Sequence, residues 1–140
     1  MAYPHAMFGE GFATAFVPAA IAGLATQTDP IFVAPCKCVV LAVAVTPQAA
    51  VVGNDAANKH LNILNAGAAG GGVVEVANLD LVTGVDLVAS DLRVIPLNVT
   101  YTAGVHMAAG DVLVLQSELV GGGVALPNLH VSVAFREDGV

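Results

Sequence analysis

The stretch from Leu129 to Arg136 alternates without a break. Leu129, Val131, Val133 and Phe135 fall on one side, and His130, Ser132, Ala134 and Arg136 on the other. A period of two residues predicts a strand with one face buried and one face wet. Val112 to Leu115 follow a Gly110-Asp111 turn and are apolar on both faces, as in a central strand. Cys38 to Val45 sets Val39, Leu41, Val43 and Val45 opposite Ala42 and Ala44. Weaker strands are expected over His60–Asn65, Val73–Ala77, Leu92–Leu97 and Asn98–Tyr101. Turn residues divide them at Gly53-Asn54-Asp55, Gly70-Gly71-Gly72, Thr83-Gly84, Ala103-Gly104, Gly121-Gly122-Gly123 and Pro127-Asn128. Many short strands, Gly-rich turns and no long helical stripe predict an all-β fold, a single antiparallel β-sandwich of jelly-roll-like form. A short helical turn near Ala49 or within Ala13–Ala25 would leave that class unchanged.

Residues 1–28 show neither strand nor helix periodicity. They carry Tyr3, Phe8, Phe12 and Phe16, most of the aromatic side chains of the chain, together with Pro4 and Pro18. Thr28-Asp29-Pro30 then punctuates the sequence, because proline pushes the residue before it into an extended conformation. The expected division is an irregular N-terminal arm or cap over 1–28, a sandwich over 29–136, and a short polar tail over 137–140. The first segment has two readings. It is an arm that lays its aromatic residues on a neighbouring subunit or a larger partner, or it folds back as an extra strand or cap on its own sandwich.

Composition narrows the function. The chain has 140 residues, of which 11% are charged, and a formal net charge of −7. Soluble proteins usually carry about 25% charged residues, so this surface is short of charge and is expected to bury part of itself against partners. Lys37, Lys59, Arg93 and Arg136 are the only basic side chains, too few to neutralise phosphates, so nucleic acid is not an expected partner. No run approaches the roughly 20 apolar residues of a membrane helix. Glu10 stands where a signal peptide would need positive charge, so the cytoplasm of whichever cell makes it is the expected place of synthesis.

The search for chemistry finds no constellation. Neither glycine triplet is followed by Lys-Ser or Lys-Thr, so no phosphate loop is expected. His5, His60, His106 and His130 show no HxH or HExxH spacing, and Cys36 and Cys38 lack nearby partner ligands. A Cys-x-Cys pair is also badly placed for a disulfide. Ser90, Ser117 and Ser132 lack a nucleophile-elbow context. Asp80, Asp86 and Asp91 read as loop and outer-face residues. No catalytic residue, metal or cofactor is therefore expected, and the protein is not expected to be an enzyme.

Whole segments are more informative than single motifs. Asp29-Pro30-Ile31-Phe32-Val33-Ala34-Pro35-Cys36-Lys37-Cys38-Val39-Val40-Leu41-Ala42-Val43 leads to Val52-Gly53-Asn54-Asp55. Ala109-Gly110-Asp111-Val112-Leu113-Val114-Leu115 and Gly121-Gly122-Gly123-Val124-Ala125-Leu126-Pro127 precede the closing Val131-Ser132-Val133-Ala134-Phe135. Over roughly 29–136 this arrangement resembles small virion proteins of tailed bacteriophages, above all head decoration (cement) proteins. The resemblance implies a homotrimer on the capsid exterior that binds the major capsid protein and stabilises the head lattice. A β-sandwich binding module of a tail or fibre is the alternative it implies. In either case Tyr3, Phe8, Phe12 and Phe16 are the candidate interface residues.

Overall fold

A computed structural model describes residues 10–138. Nine strands follow one another: β1 (Glu10–Val17), β2 (Gln27–Val33), β3 (Cys38–Pro47), β4 (Asn58–Gly67), β5 (Val74–Asp80), β6 (Arg93–Ile95), β7 (Val105–Met107), β8 (Val112–Val120) and β9 (Leu129–Glu137). They form two antiparallel sheets. The first runs β1-β9-β3-β6, with β7 also on β3, and the second runs β2-β8-β4-β5.

The order follows from one long hairpin rolled up on itself. β5 returns along β4, β6 and β7 along β3, β8 along β2, and β9 along β1. Rolling then seats β9 against β3 and β8 against β4. That is the jelly-roll connectivity, and it closes the two sheets over one core. β6 and β7 behave as one interrupted strand. β6 lies against Val43–Val45 and β7 against Cys38–Val40, with a 3-10 turn at Val99–Tyr101 between them.

Strand β9 has the predicted register. Leu129, Val131, Val133 and Phe135 are buried, and His130, Ser132, Ala134 and Arg136 face outward. Val43, Val45, Leu61, Ile63, Leu113 and Leu115 meet them from the other strands of the core. Phe32 of β2 reaches Phe135 of β9 across the sandwich, with ring centroids 5.1 Å apart. In β8, Leu113 and Leu115 enter the core, while Val114 joins Leu64 and Ala66 in a small outer cluster.

Four expectations need correction. Glu10–Val17 is a regular strand paired along its whole length with β9, so these residues fold back as an extra strand on their own sandwich, the second of the segment's two readings, instead of forming an irregular arm. Glu10, Phe12, Thr14 and Phe16 point out and Gly11, Ala13, Ala15 and Val17 point in, so the two phenylalanines outside and the small residues inside hide the usual alternation. The boundary at residue 28 falls inside β2, where Pro30 is tolerated because the strand is at a sheet edge. The expected tail is partly structured, since β9 runs to Glu137 and Asp138 sits 3.1 Å from His106 Nδ1. Asn98–Tyr101 turns instead of extending, and Asn98 Nδ2 donates to the Glu75 carbonyl.

The face assignment of β3 also shifts. A bulge between Val40 and Ala42 puts Cys38, Val40, Val43 and Val45 in the core together. Val39, on the outer side, is covered by the 97–104 excursion. Gly104 has φ +112°, and a Cβ there would collide with Val39 Cγ1.

Lys59 is the exception within the core. It shares the inward face of β4 with Leu61 and Ile63, is 0% exposed, and its Nζ donates to the carbonyls of Ile21 (3.2 Å) and Leu24 (3.5 Å). Burial lowers its pKa from 10.5, because removing an ammonium from water disfavours the charged form. Between the depressed folded pKa and 10.5 the unfolded chain binds more protons, so this residue makes stability rise with pH there. Relative to wild type, Lys59→Met should flatten that alkaline slope in chemical denaturation over the pH range up to the ordinary lysine pKa of about 10.5. An unchanged slope would contradict the burial.

The register gives a second expectation. Val133→Asp buries an unpaired carboxylate, which costs several kcal/mol against a total of about 5–15 kcal/mol, and should abolish cooperative thermal unfolding. Ser132→Asp should keep it. The reverse pattern would contradict the register.

Candidate functional site

The outer face of the first sheet is built from small side chains. Cross-strand rows read Phe12–Ala134–Ala42, then Thr14–Ser132–Ala44–Val94, then Phe16–His130–Thr46. The two central strands therefore supply a low floor of alanine, serine and threonine. Taller apolar groups flank it, with Phe12 (78% exposed) and Phe16 on β1 and Leu92 and Val94 beside β6. The result is a trough of about 170 Å³ floored by Ala42, Ala44, Ser132 and Ala134 and walled by Phe12, Leu92 and Val94.

A second hollow of about 210 Å³ continues the same face toward the loops, between Phe16, His130, Thr46 and Ser90. Phe16 and His130 meet edge to face at 5.9 Å. Asn128 fixes the rim, accepting from Ala19 N at 2.8 Å and donating to Gln48 Oε1 at 2.8 Å. Glu10 and Arg136, at one end of this face, stand directly opposite each other in the register. Contiguous apolar surface of this kind marks contact sites more often than free surface.

The outer face of the second sheet is its opposite. Gln116, Asn62 and Asn78 stand in one row across three strands. Asn62 Nδ2 donates to Gln116 Oε1 (3.1 Å) and Glu118 Oε2 (2.9 Å), while Asn78 Nδ2 donates to Asn62 Oδ1 (3.0 Å). His60 lies between Glu118 and Asp80 in the next row, with Nδ1 3.3 Å from Asp80 Oδ1. The amides of this face satisfy one another.

Of the four candidate interface residues, Phe12 and Phe16 are brought to one face, two positions either side of Thr14. Tyr3 and Phe8 lie outside the described residues. Leu92, Val94 and the small-residue floor were missed. Their signal was the run of small residues at alternate positions in both β3 and β9.

The reactive side chains are scattered. Among the described residues no group of three or more His, Cys, Asp or Glu side chains is placed to hold a metal. Both cysteines are free, and burial pushes the Cys38 thiol up to about 11, with Cys36 adding to the effect. Cys36 is also raised, by burial first and then by Glu137. His106 and Lys37 are both engaged with Asp138, at 3.1 and 3.9 Å, and the His106 hydrogen bond holds that carboxyl below its usual range. Asp86 accepts from Gly53 N, and Ser117 donates to the Gln27 carbonyl. Comparison of the chain with protein-family models, curated proteins and solved structures finds no match.

Because Phe12, Phe16 and Val94 are exposed, replacing all three with serine should change stability by no more than about 0.5 kcal/mol per site. Binding of an apolar fluorescent dye should fall by more than half. Undiminished dye fluorescence would mean the apolar surface lies elsewhere.

Proposed function

We propose that this chain is a structural virion protein that binds the outer surface of a capsid and stabilises the head lattice, with the major capsid protein as its partner. The observation that carries this reading is the exposed apolar trough walled by Phe12, Leu92 and Val94, with the exposed Phe16 beside it, on a chain with only 11% charged residues. Contact surfaces of this type are depleted of charge at their centres and rich in aromatic groups.

The energetics suit attachment in many copies. Burying one phenylalanine ring stabilises by roughly 1.5–3 kcal/mol, part of which offsets the cost of ordering and immobilising the partners. Two rings and two aliphatic groups thus give modest affinity for one copy. A closed oligomer would multiply that affinity through avidity, whether it has the three copies implied by the resemblance to decoration proteins or the two argued below. The jelly-roll core suits the role, since a closed sandwich carries its contact face on paired strands, whose small floor residues leave little to reorganise.

Quantitative mass spectrometry of purified particles tests the proposal. It predicts a copy number of the same order as the major capsid protein, falling at least tenfold when Phe12 and Phe16 are both serine. Absence from particles, or a few copies per particle, would overturn it, the latter in favour of a tail or fibre component.

A further inference from the structure

Each sheet of an open sandwich has two edges, and a bare edge invites another strand. Three of the four edges are protected here. β2 carries Pro30 and a register shift between Pro30 and Phe32. β5 is covered by the chain around Leu97: Asn78 N donates to the Pro96 carbonyl, Asn98 N to the Val76 carbonyl, and Ala77 bridges Leu97. β6 and β7 are three residues each and are separated by the 3-10 turn. β1 is different. It runs eight residues without a bulge, contains no proline, lysine or arginine, and among the described residues is paired with no strand but β9, although β2 of the second sheet passes close to it.

Its sequence is also self-complementary. Phe12-Ala13-Thr14-Ala15-Phe16 reads the same in both directions. Two such strands laid antiparallel about a two-fold axis at Thr14 put Phe12 opposite Phe16 of the second copy, Ala13 opposite Ala15, and Thr14 opposite Thr14. The aromatic pairs fall on the outer face and the alanines on the inner face, so like meets like throughout. Glu10 falls opposite Pro18, and no two like charges are opposed, although each chain carries a net charge of −7. Aromatic cross-strand pairs and the new ladder of hydrogen bonds both favour the contact.

We infer that the open edge of β1 is a homodimer interface, occupied by β1 of a second copy of this chain in an antiparallel register centred on Thr14. The two first sheets then join as one continuous sheet, β6-β3-β9-β1 running into its symmetry mate. The contact is isologous and closed, so it stops at two copies. Both apolar troughs remain on the same side of the joined sheet. The inference stands apart from capsid attachment, which is read from particles, whereas pairing is read from the purified protein.

Sedimentation equilibrium over a micromolar range tests it. The wild-type protein should reach twice the chain mass of 14.0 kDa. Thr14 is exposed and points away from the core, so Thr14→Lys should keep the fold but oppose two ammonium groups at the axis, giving a species of 14.0 kDa. Thr14→Glu should do the same. An equimolar mixture of the two variants should regain the doubled mass, because lysine then faces glutamate. That recovery separates loss of pairing from loss of folding. A wild-type mass of one chain or of three, a Thr14→Lys protein that keeps the doubled mass, or a mixture that stays single would each overturn the inference.

Discussion

The pairing of β3 with β9 at the centre of the first sheet is the contact on which the remaining structure depends. Along it, Val43 lies beside Val133, Val45 beside Val131 and Val40 beside Phe135, and all point into the core. The same register places Ala42 beside Ala134, Ala44 beside Ser132 and Thr46 beside His130 on the outside. One ladder thus produces both the packed interior and the low floor of the outer trough. The bulge between Val40 and Ala42 is what reconciles the two, because without it the inward positions would alternate out of phase along β3.

From that centre the two outer faces diverge. On the first sheet, small floor residues leave Phe12 and Phe16 standing clear of the floor. On the second sheet, amide side chains bond to one another across three strands, and Glu118 and Asp80 flank His60. Acid and amide groups therefore concentrate on one side of the sandwich and apolar surface on the other. Lys59 ties this architecture at one end, where its ammonium holds the β1–β2 connection by two carbonyls. Gly123 helps on the same side, since any side chain there would strike the Ala22 carbonyl.

Much of the fold was legible in the sequence, and the failures have physical causes. β9 and β8 could be read directly, because alternation and a doubly apolar run are what one-sided and two-sided burial require. β1 could not, because two of its four outward residues are phenylalanine and its inward ones are mostly alanine and glycine. That inverts the usual hydrophobic contrast. The bulge in β3 has no local signal, since valine and alanine fit either face. The turn at Val99–Tyr101 follows from tertiary pairing of Pro96 and Asn98 with β5, against the strand preference of its own residues. Of the candidate site, Phe12 and Phe16 were visible as unexplained aromatics. Leu92 and Val94 join them only through the fold.

The central claim is that the outer face of the first sheet is the surface buried in assembly. Hydroxyl-radical footprinting of the free protein and of assembled particles addresses it residue by residue. Phe12, Phe16, Leu92 and Val94 should be oxidised in the free protein and protected in the particle. Val52, Val73 and Val99, which are 73%, 77% and 89% exposed at other places on the sandwich, should be oxidised equally in both. Protection of those three valines, with Phe12 and Phe16 still oxidised, would contradict the account.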